Sequence, residues 1–466
     1  MIPVLSNQRS LSVFRGLAHA GRRQRPMRRR QIAIVTSALT VLVLASAAGG
    51  DIVTDWNQTA MSLGPSVGNL RAGRILAMTH TAIYDSYMAF DGTCDPYHVT
   101  TTPPTGASPE AAATAAGYQV LHSMYTTEAQ RASIQARYDS HLALISDGPG
   151  KDAGIAFGQS VAQAIMALRS SDGAMEAMTT PHPDGTLPGE WRRTASGEPM
   201  APGWGNVTPW VMTAGNQFDQ GGPTPLTSAE YADNYDYTRV LGGADSVVRT
   251  AEQDNIAMFW AEHVPAHWNR LARELAQQEG LSLAQSARLF GLLSVTLADA
   301  NIAGWNMKYT HNFWRPETAI QLGDSDTNDA TVGVADWQPF LVSPAFPEYV
   351  SGHSTLSASA ATLLELYFGR GDYEFTFMPM NPALQPRRYD SFREAAEEAG
   401  MSRIYGGIHF QFSNLDGLEA GDQLAYYAYE NCMTPEPATL VFLMAGAALI
   451  GRHRRVQAGR SAQGSA

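Results

Sequence analysis

The sequence predicts an all-α protein, and three observations carry that expectation. From residue 48 onward apolar residues recur at three-to-four spacing in one segment after another, and no stretch sustains a strict apolar/polar alternation. The content, 44% hydrophobic and only 16% charged, suits a packed core rather than a disordered chain. No repeat of fixed period interrupts the pattern. The 466 residues fit two or three domain-sized units, or one large helical body.

The periodic segments follow in order. In 69–90, Leu70, Ile75, Met78, Ala82, Ile83, Tyr87 and Met88 keep the helical spacing. Similar patterns occupy 108–125, 127–146, 151–169, 227–239, 250–262, 265–278, 282–310, 353–368, 389–399 and 414–430. The Pro/Gly-rich stretch 181–225 has no such period and reads as an irregular connection packed over the body. It separates an N-terminal helical half, 48–180, from a C-terminal helical half, 226–430.

Both ends read as targeting segments. Arg28-Arg29-Arg30 precedes the apolar run 32–44 and then Ala45-Ser46-Ala47, the three parts of a secretory signal within 1–47, with Met27 as the expected start. This run of thirteen residues falls short of the ~20 that span a bilayer. At the other end, 434–455 reads Thr434-Pro435-Glu436-Pro437, an apolar run to Ile450, then Arg452-His453-Arg454-Arg455. This resembles the PEP-CTERM sorting signal of Gram-negative bacteria. The resemblance implies a sorting protease as partner, and export to the cell envelope or the exterior. Residues 456–466 extend beyond the usual basic stop. Export implies an oxidising compartment, yet Cys94 and Cys432 allow one bridge at most, and Cys432 abuts the sorting signal.

Charge excludes one class of partner. The formal net charge is −12, and the body 48–433 carries 43 acidic against 20 basic side chains. A body that acidic repels phosphate backbones, so no nucleic-acid partner is expected.

Against that acidity three short cationic clusters stand out. Only Lys151 and Lys308 are lysines among 32 basic residues. Lys308 opens the run Lys308-Tyr309-Thr310-His311-Asn312-Phe313-Trp314-Arg315-Pro316, which puts Lys308 and Arg315 on one face if the helix continues that far. Taken alone, the pair also fits a solvated basic face. The second cluster, Phe346-Pro347-Glu348-Tyr349-Val350-Ser351-Gly352-His353, precedes an apolar helix. It offers a hydroxyl, free N–H groups and a proton-trading imidazole, or an ordinary N-cap. In the third, Arg403 and His409 lie six apart, and Gly406-Gly407 lets the chain turn so that both can converge.

In this order, Lys-x6-Arg-Pro, Ser-Gly-His and Ser-Arg-x5-His resemble the signature of the vanadium-dependent haloperoxidases and the related acid phosphatases, the type 2 phosphatidic acid phosphatase-like superfamily. Trp305, Phe346-Pro347 and Tyr349 look like the fungal chloroperoxidase branch. Asp55-Trp56-Asn57 and the segment with His80, Ala82, Tyr84 and Asp85 look like bacterial haloperoxidase-like proteins. Val350 departs from the Pro usual in the family. The resemblance implies a helical bundle of the vanadium haloperoxidase / acid phosphatase type covering most of 50–430.

It further implies orthovanadate as cofactor, bonded to vanadium through His409. Lys308, Arg315, Ser351, Gly352 and Arg403 would hold its oxygens. Catalysis is expected of His353 as general base, of Lys308 acting on bound peroxide, and of His409. Hydrogen peroxide and halide are the expected partners, with a small organic acceptor and a dimer left open. The same groups suit phosphate ester hydrolysis, with His409 as nucleophile. An envelope or matrix protein with a vestigial site is the third reading.

Weaker signals point elsewhere. His263 and His267 have zinc-like spacing, but Pro265 lies between them and no third ligand is evident. The run 324–329 begins like a calcium loop and lacks its Gly. His311 is left either at the pocket or in solvent.

Overall fold

The computed structural model describes residues 51–194 and 197–436. The expected leader and all of the expected sorting segment beyond Glu436 lie outside the described residues. Fourteen α-helices and one small hairpin make up the described fold, which is all-α as the sequence predicts. The first six helices are α1 Ile52–Leu63, α2 Asn69–Asp91, α3 Pro109–Met124, α4 Glu128–Leu142, α5 Pro149–Leu168 and α6 Ala174–Ala177. Then come α7 Ala229–Gly242, α8 Ala251–Phe259, α9 Val264–Gln278, α10 Leu283–His311 and α11 Pro316–Gln321. After these follow α12 Gly352–Phe368, α13 Phe392–Tyr405 and α14 Gln411–Asn431. The antiparallel hairpin β1 Phe375–Phe377 and β2 Arg387–Tyr389 precedes α13.

The axis of the molecule is α10. Ser282 caps its start in a capping box with Gln285, and the helix runs 29 residues, about 44 Å. It is buried along most of its length, packing on α2 on one side and on α12 on the other. Two glycines mark close helix crossings. A Cβ on Gly158 would meet the Ala112 carbonyl at 2.0 Å, and one on Gly421 the Thr355 carbonyl at 2.4 Å. Backbone therefore contacts backbone between α5 and α3 and between α14 and α12. Small residues replace side-chain bulk there.

Two buried carboxylates tie loops to this frame. Asp85 on α2 accepts the N–H groups of Tyr97 (2.6 Å), His98 (2.9 Å) and Val99 (2.8 Å). Asp299 on α10 accepts those of Trp210 (2.7 Å), Val211 (2.8 Å) and Met212 (2.9 Å). Burial pushes both carboxyls up to about 6 despite the three N–H donors each receives. The second clamp draws the 181–225 stretch over α10 and toward the site described next.

Both cysteines are free thiols, Cys94 half-buried and Cys432 buried. Thr93 to Asp95 pair with the segment after α14: Asp95 N–H donates to the Thr434 carbonyl (2.8 Å) and Glu436 N–H to that of Thr93 (3.0 Å). No helix among the described residues is long and apolar enough to cross a membrane.

Candidate active site

The three cationic clusters meet at one end of α10. Lys308 lies in its last turn and is fully buried. The helix stops at His311, and Asn312 turns the chain with φ of 48°. Lys308 and Arg315 therefore do not share a helix face as the spacing suggests. Arg315 is instead the residue before α11, brought back toward Lys308 by that turn. Ser351 caps α12, its Oγ accepting from the Ser354 N–H at 3.4 Å, and Gly352 and His353 open the helix. Arg403 lies in the last turn of α13, and Gly407, with φ of 72°, redirects the chain so that His409 faces Arg315.

A cavity of about 370 Å³ opens onto this convergence. Lys308, Gly352, His353, Arg403 and His409 form its polar floor, and Leu70, Val264, Trp305, Phe346, Leu356 and Ile408 are among its apolar walls. The Phe346 ring stacks near Trp305, centroids 5.1 Å apart, and lies 5.1 Å from Lys308 Nζ and 4.8 Å from Arg315 Cζ. His311 turns away from this space to pair with Asp219 at 2.9 Å, and Trp314 is buried elsewhere in the core.

Hydrogen bonds divide the polar groups into held and free. Lys308 donates to the carbonyls of Pro347 (3.2 Å), Glu348 (2.9 Å) and Val350, which engages all three of its protons. Arg315 donates to the carbonyls of Phe346 (3.0 Å), Ile408 (2.7 Å) and Pro347 (3.4 Å), and its Nη1 also reaches His409 Nε2 at 3.1 Å. Arg403 is less engaged, donating from Nε to Ser402 Oγ (2.9 Å) and from Nη2 to the Ala257 carbonyl (3.1 Å). Its Nη1 and the Gly352 N–H keep donor capacity for a guest, whereas the Ser351 hydroxyl is engaged with Ser354 Oγ at 2.8 Å, which in turn donates to Asn414 Oδ1 at 2.8 Å.

Two imidazoles complete the site. His409 Nδ1 lies 2.8 Å from Glu348 Oε1, an oxygen that also accepts the Phe410 N–H at 2.9 Å. His353 Nε2 lies 2.8 Å from the Trp260 carbonyl. A carbonyl only accepts, so that nitrogen carries the proton and Nδ1 keeps the lone pair. Glu348 and the Trp260 carbonyl were not distinguished by the sequence patterns. The first sat inside a motif without a partner to pair with, and the second is backbone.

Electrostatics show what the site is built to receive. Three buried cations face one buried carboxylate, Glu348. Burial lowers Lys308, with Arg315 adding to the effect; it brings Arg315 to about 10 and Arg403 to about 9. Burial first, then Arg403 for His353 and Arg315 for His409, holds both imidazoles neutral. Burial also pushes Glu348 up to about 7, against the pull of Arg315. Uncompensated buried cations are costly, and an anion among them relieves that cost. A tetrahedral oxyanion fits the free donors. A Cβ at Gly352 would meet only Lys308 Cε, at 4.0 Å, so the backbone there is open to a guest.

The comparisons with known proteins agree with this geometry. Residues 288–435 match the family model described as the VCPO second helical-bundle domain. A vanadium chloroperoxidase from Curvularia inaequalis is 26% identical, the alignment covering 77% of this chain and 78% of that protein. The chain is thus similar to the vanadium haloperoxidases over most of its length. Among solved structures of the superfamily, the first bacterial vanadium-dependent iodoperoxidase superposes with a TM-score of 0.69 at 24% identity, covering 84% of this chain and 99% of that one. A holo-type bacterial vanadium-dependent chloroperoxidase gives 0.65 at 16% identity, covering 82% and 96%. Those two likenesses show the haloperoxidase fold.

Proposed function

We propose that the protein is a vanadate-dependent haloperoxidase that converts halide, hydrogen peroxide and a proton to hypohalous acid and water. The observation that carries this reading is the free donor pair of Arg403 Nη1 and the Gly352 N–H converging with His409 Nε2 beside a neutral His353. In this reading those groups, with Arg315 and Lys308, hold orthovanadate, and His409 Nε2 is its ligand to vanadium. Bound vanadate supplies a Lewis-acidic centre that polarises peroxide.

The chain's own residues do the rest. Glu348 keeps the proton on His409 Nδ1, which leaves Nε2 as the coordinating atom. Engaging Nε2 displaces the Arg315 Nη1 contact, so one guanidinium N–H is released toward the oxyanion. His353 Nδ1 takes the peroxide proton as general base, while the Trp260 carbonyl fixes the opposite nitrogen. Lys308 needs to give up one of its three carbonyls to reach a guest oxygen. The apolar walls exclude water from the charges and leave room for a small organic acceptor.

Phosphate ester hydrolysis would use the same oxyanion site, with His409 as nucleophile. It asks His353 to be an acid for the leaving alcohol, whereas burial and Arg403 favour the neutral base. The complete, buried cation set argues against a vestigial site. We further propose, from the terminal segments, that the protein acts outside the cytoplasm of a Gram-negative bacterium, after a sorting protease removes the tail.

The test reconstitutes the mature chain with orthovanadate and compares peroxide-dependent bromination of a phenolic dye with p-nitrophenyl phosphate turnover by the metal-free protein. Bromination dominating supports the proposal. Ester cleavage without halogenation at any pH transfers the site to the phosphatase reading.

A further inference from the structure

The mouth of the cavity carries a reactive group that the oxyanion site does not use. Among the residues that line the cavity, Asn69, Met200 and Ala261 are exposed and so mark its opening, while Lys308, Arg403 and His409 are buried. Of the three at the mouth, only Met200 has a side chain that accepts an oxygen atom.

Backbone bonds hold Met200 in that place. Its N–H donates to the Ala345 carbonyl (2.8 Å), and its carbonyl accepts from Trp305 Nε1 (3.2 Å) and Tyr309 Oη (2.7 Å). The connection 181–225 is therefore pinned at Met200 between α10 and the segment that carries Phe346. With both backbone polar groups bonded to the body, the 45% exposure of this residue belongs to its thioether. Met175 and Met380 are more exposed, at 67% and 57%, and neither lines the cavity. Exposure alone would have them oxidised first.

We propose that Met200 is a self-modification site, converted to the sulfoxide by hypohalous acid as it leaves the cavity. The sulfur lone pair takes the halogen and hydroxide departs. Water then adds at sulfur, and halide and two protons leave. Sulfur is oxidised by two electrons and the halogen is reduced to halide. An apolar group at the mouth thereby becomes a polar one. The inference rests on the haloperoxidase reading, which supplies the oxidant.

The test uses the mature chain loaded with orthovanadate, given peroxide, bromide and a large excess of the phenolic dye. The dye reports turnover and consumes bromine species that reach bulk solvent. Peptide mapping by mass spectrometry follows the gain of one oxygen at each methionine. Met200 is expected to be oxidised about tenfold or more faster than Met175 and Met380, because the oxidant is concentrated where it emerges. Hypobromous acid added from outside to the metal-free chain is expected to restore the order of exposure, with Met175 and Met380 ahead. Omitting bromide is expected to abolish the lead of Met200. Dye bromination with Met200 no faster than Met175 overturns the proposal. So does a Met200 lead that persists with added hypobromous acid or without bromide. Failure of the dye to brominate overturns the function reading, and self-modification falls with it.

Discussion

His409 and Glu348 are locked to one another through a single oxygen. Oε1 of Glu348 accepts the Phe410 N–H, so it must also be the acceptor for His409 Nδ1 at 2.8 Å. This fixes the imidazole as the Nδ1–H tautomer and aims the Nε2 lone pair at Arg315. Glu348→Leu removes the acceptor, and orthovanadate affinity is expected to fall by about 10- to 100-fold. Glu348→Gln keeps an oxygen at that place and is expected to stay within about fivefold. Calorimetric titration checks both, and equal losses in the two variants would sink the orientation argument.

Lys308 and Arg403 divide structure from binding. Lys308 is the only donor the three carbonyls of Pro347, Glu348 and Val350 share, whereas Arg403 keeps free N–H groups. Removing Lys308 relieves repulsion with Arg315 but leaves the buried carbonyls of Glu348 and Val350 without this donor, while that of Pro347 keeps Arg315 Nη2 at 3.4 Å. Each orphan costs about 1–3 kcal/mol, so the loss wins. Lys308→Met is expected to lower the unfolding free energy by about 2–4 kcal/mol in urea titration. Arg403→Met is expected to lose more in orthovanadate affinity than in stability. The reverse ordering would contradict the hydrogen-bond assignment.

Side-chain chemistry was legible in the sequence, and its partners were not. Lys308, Arg315, Ser351, Gly352, His353, Arg403 and His409 were marked by their motifs, and the fold brings them together. The helical spacing was equally clear, because α2 and α10 each bury a continuous apolar surface. The pattern 282–310 ended within one residue of α10, but the left-handed turn at Asn312 that swings Arg315 back toward Lys308 was not read from it. The Asp85 and Asp299 clamps hold backbone N–H groups from separate loops, and backbone donors leave no sequence signal. The hairpin at 375–377 and 387–389 has strands of three residues each, too short for alternation to register. His263 was weighed as a zinc ligand from its spacing to His267, but the turn sends the two rings to different surroundings.

Those different surroundings give His267 a role in acid sensitivity. Burial, with smaller contributions from Arg270 and His263, lowers it to about 4, within a cluster of Phe259, Trp260 and Phe377. Below pH 6.5 the unfolded chain takes a proton at this residue that the folded chain refuses, so stability falls as the pH falls. The loss is complete near pH 4, where the folded form also protonates. The fall from 6.5 to about 4 corresponds to about 3 kcal/mol. His267→Phe fills the same aromatic place without a titrating group. Urea unfolding curves of the two proteins are expected to diverge by about that amount between pH 7 and 4, through decline of the unaltered chain. Titrating groups remote from position 267 are common to both and cancel in the difference. Parallel curves across that range would show that His267 is protonated inside the fold.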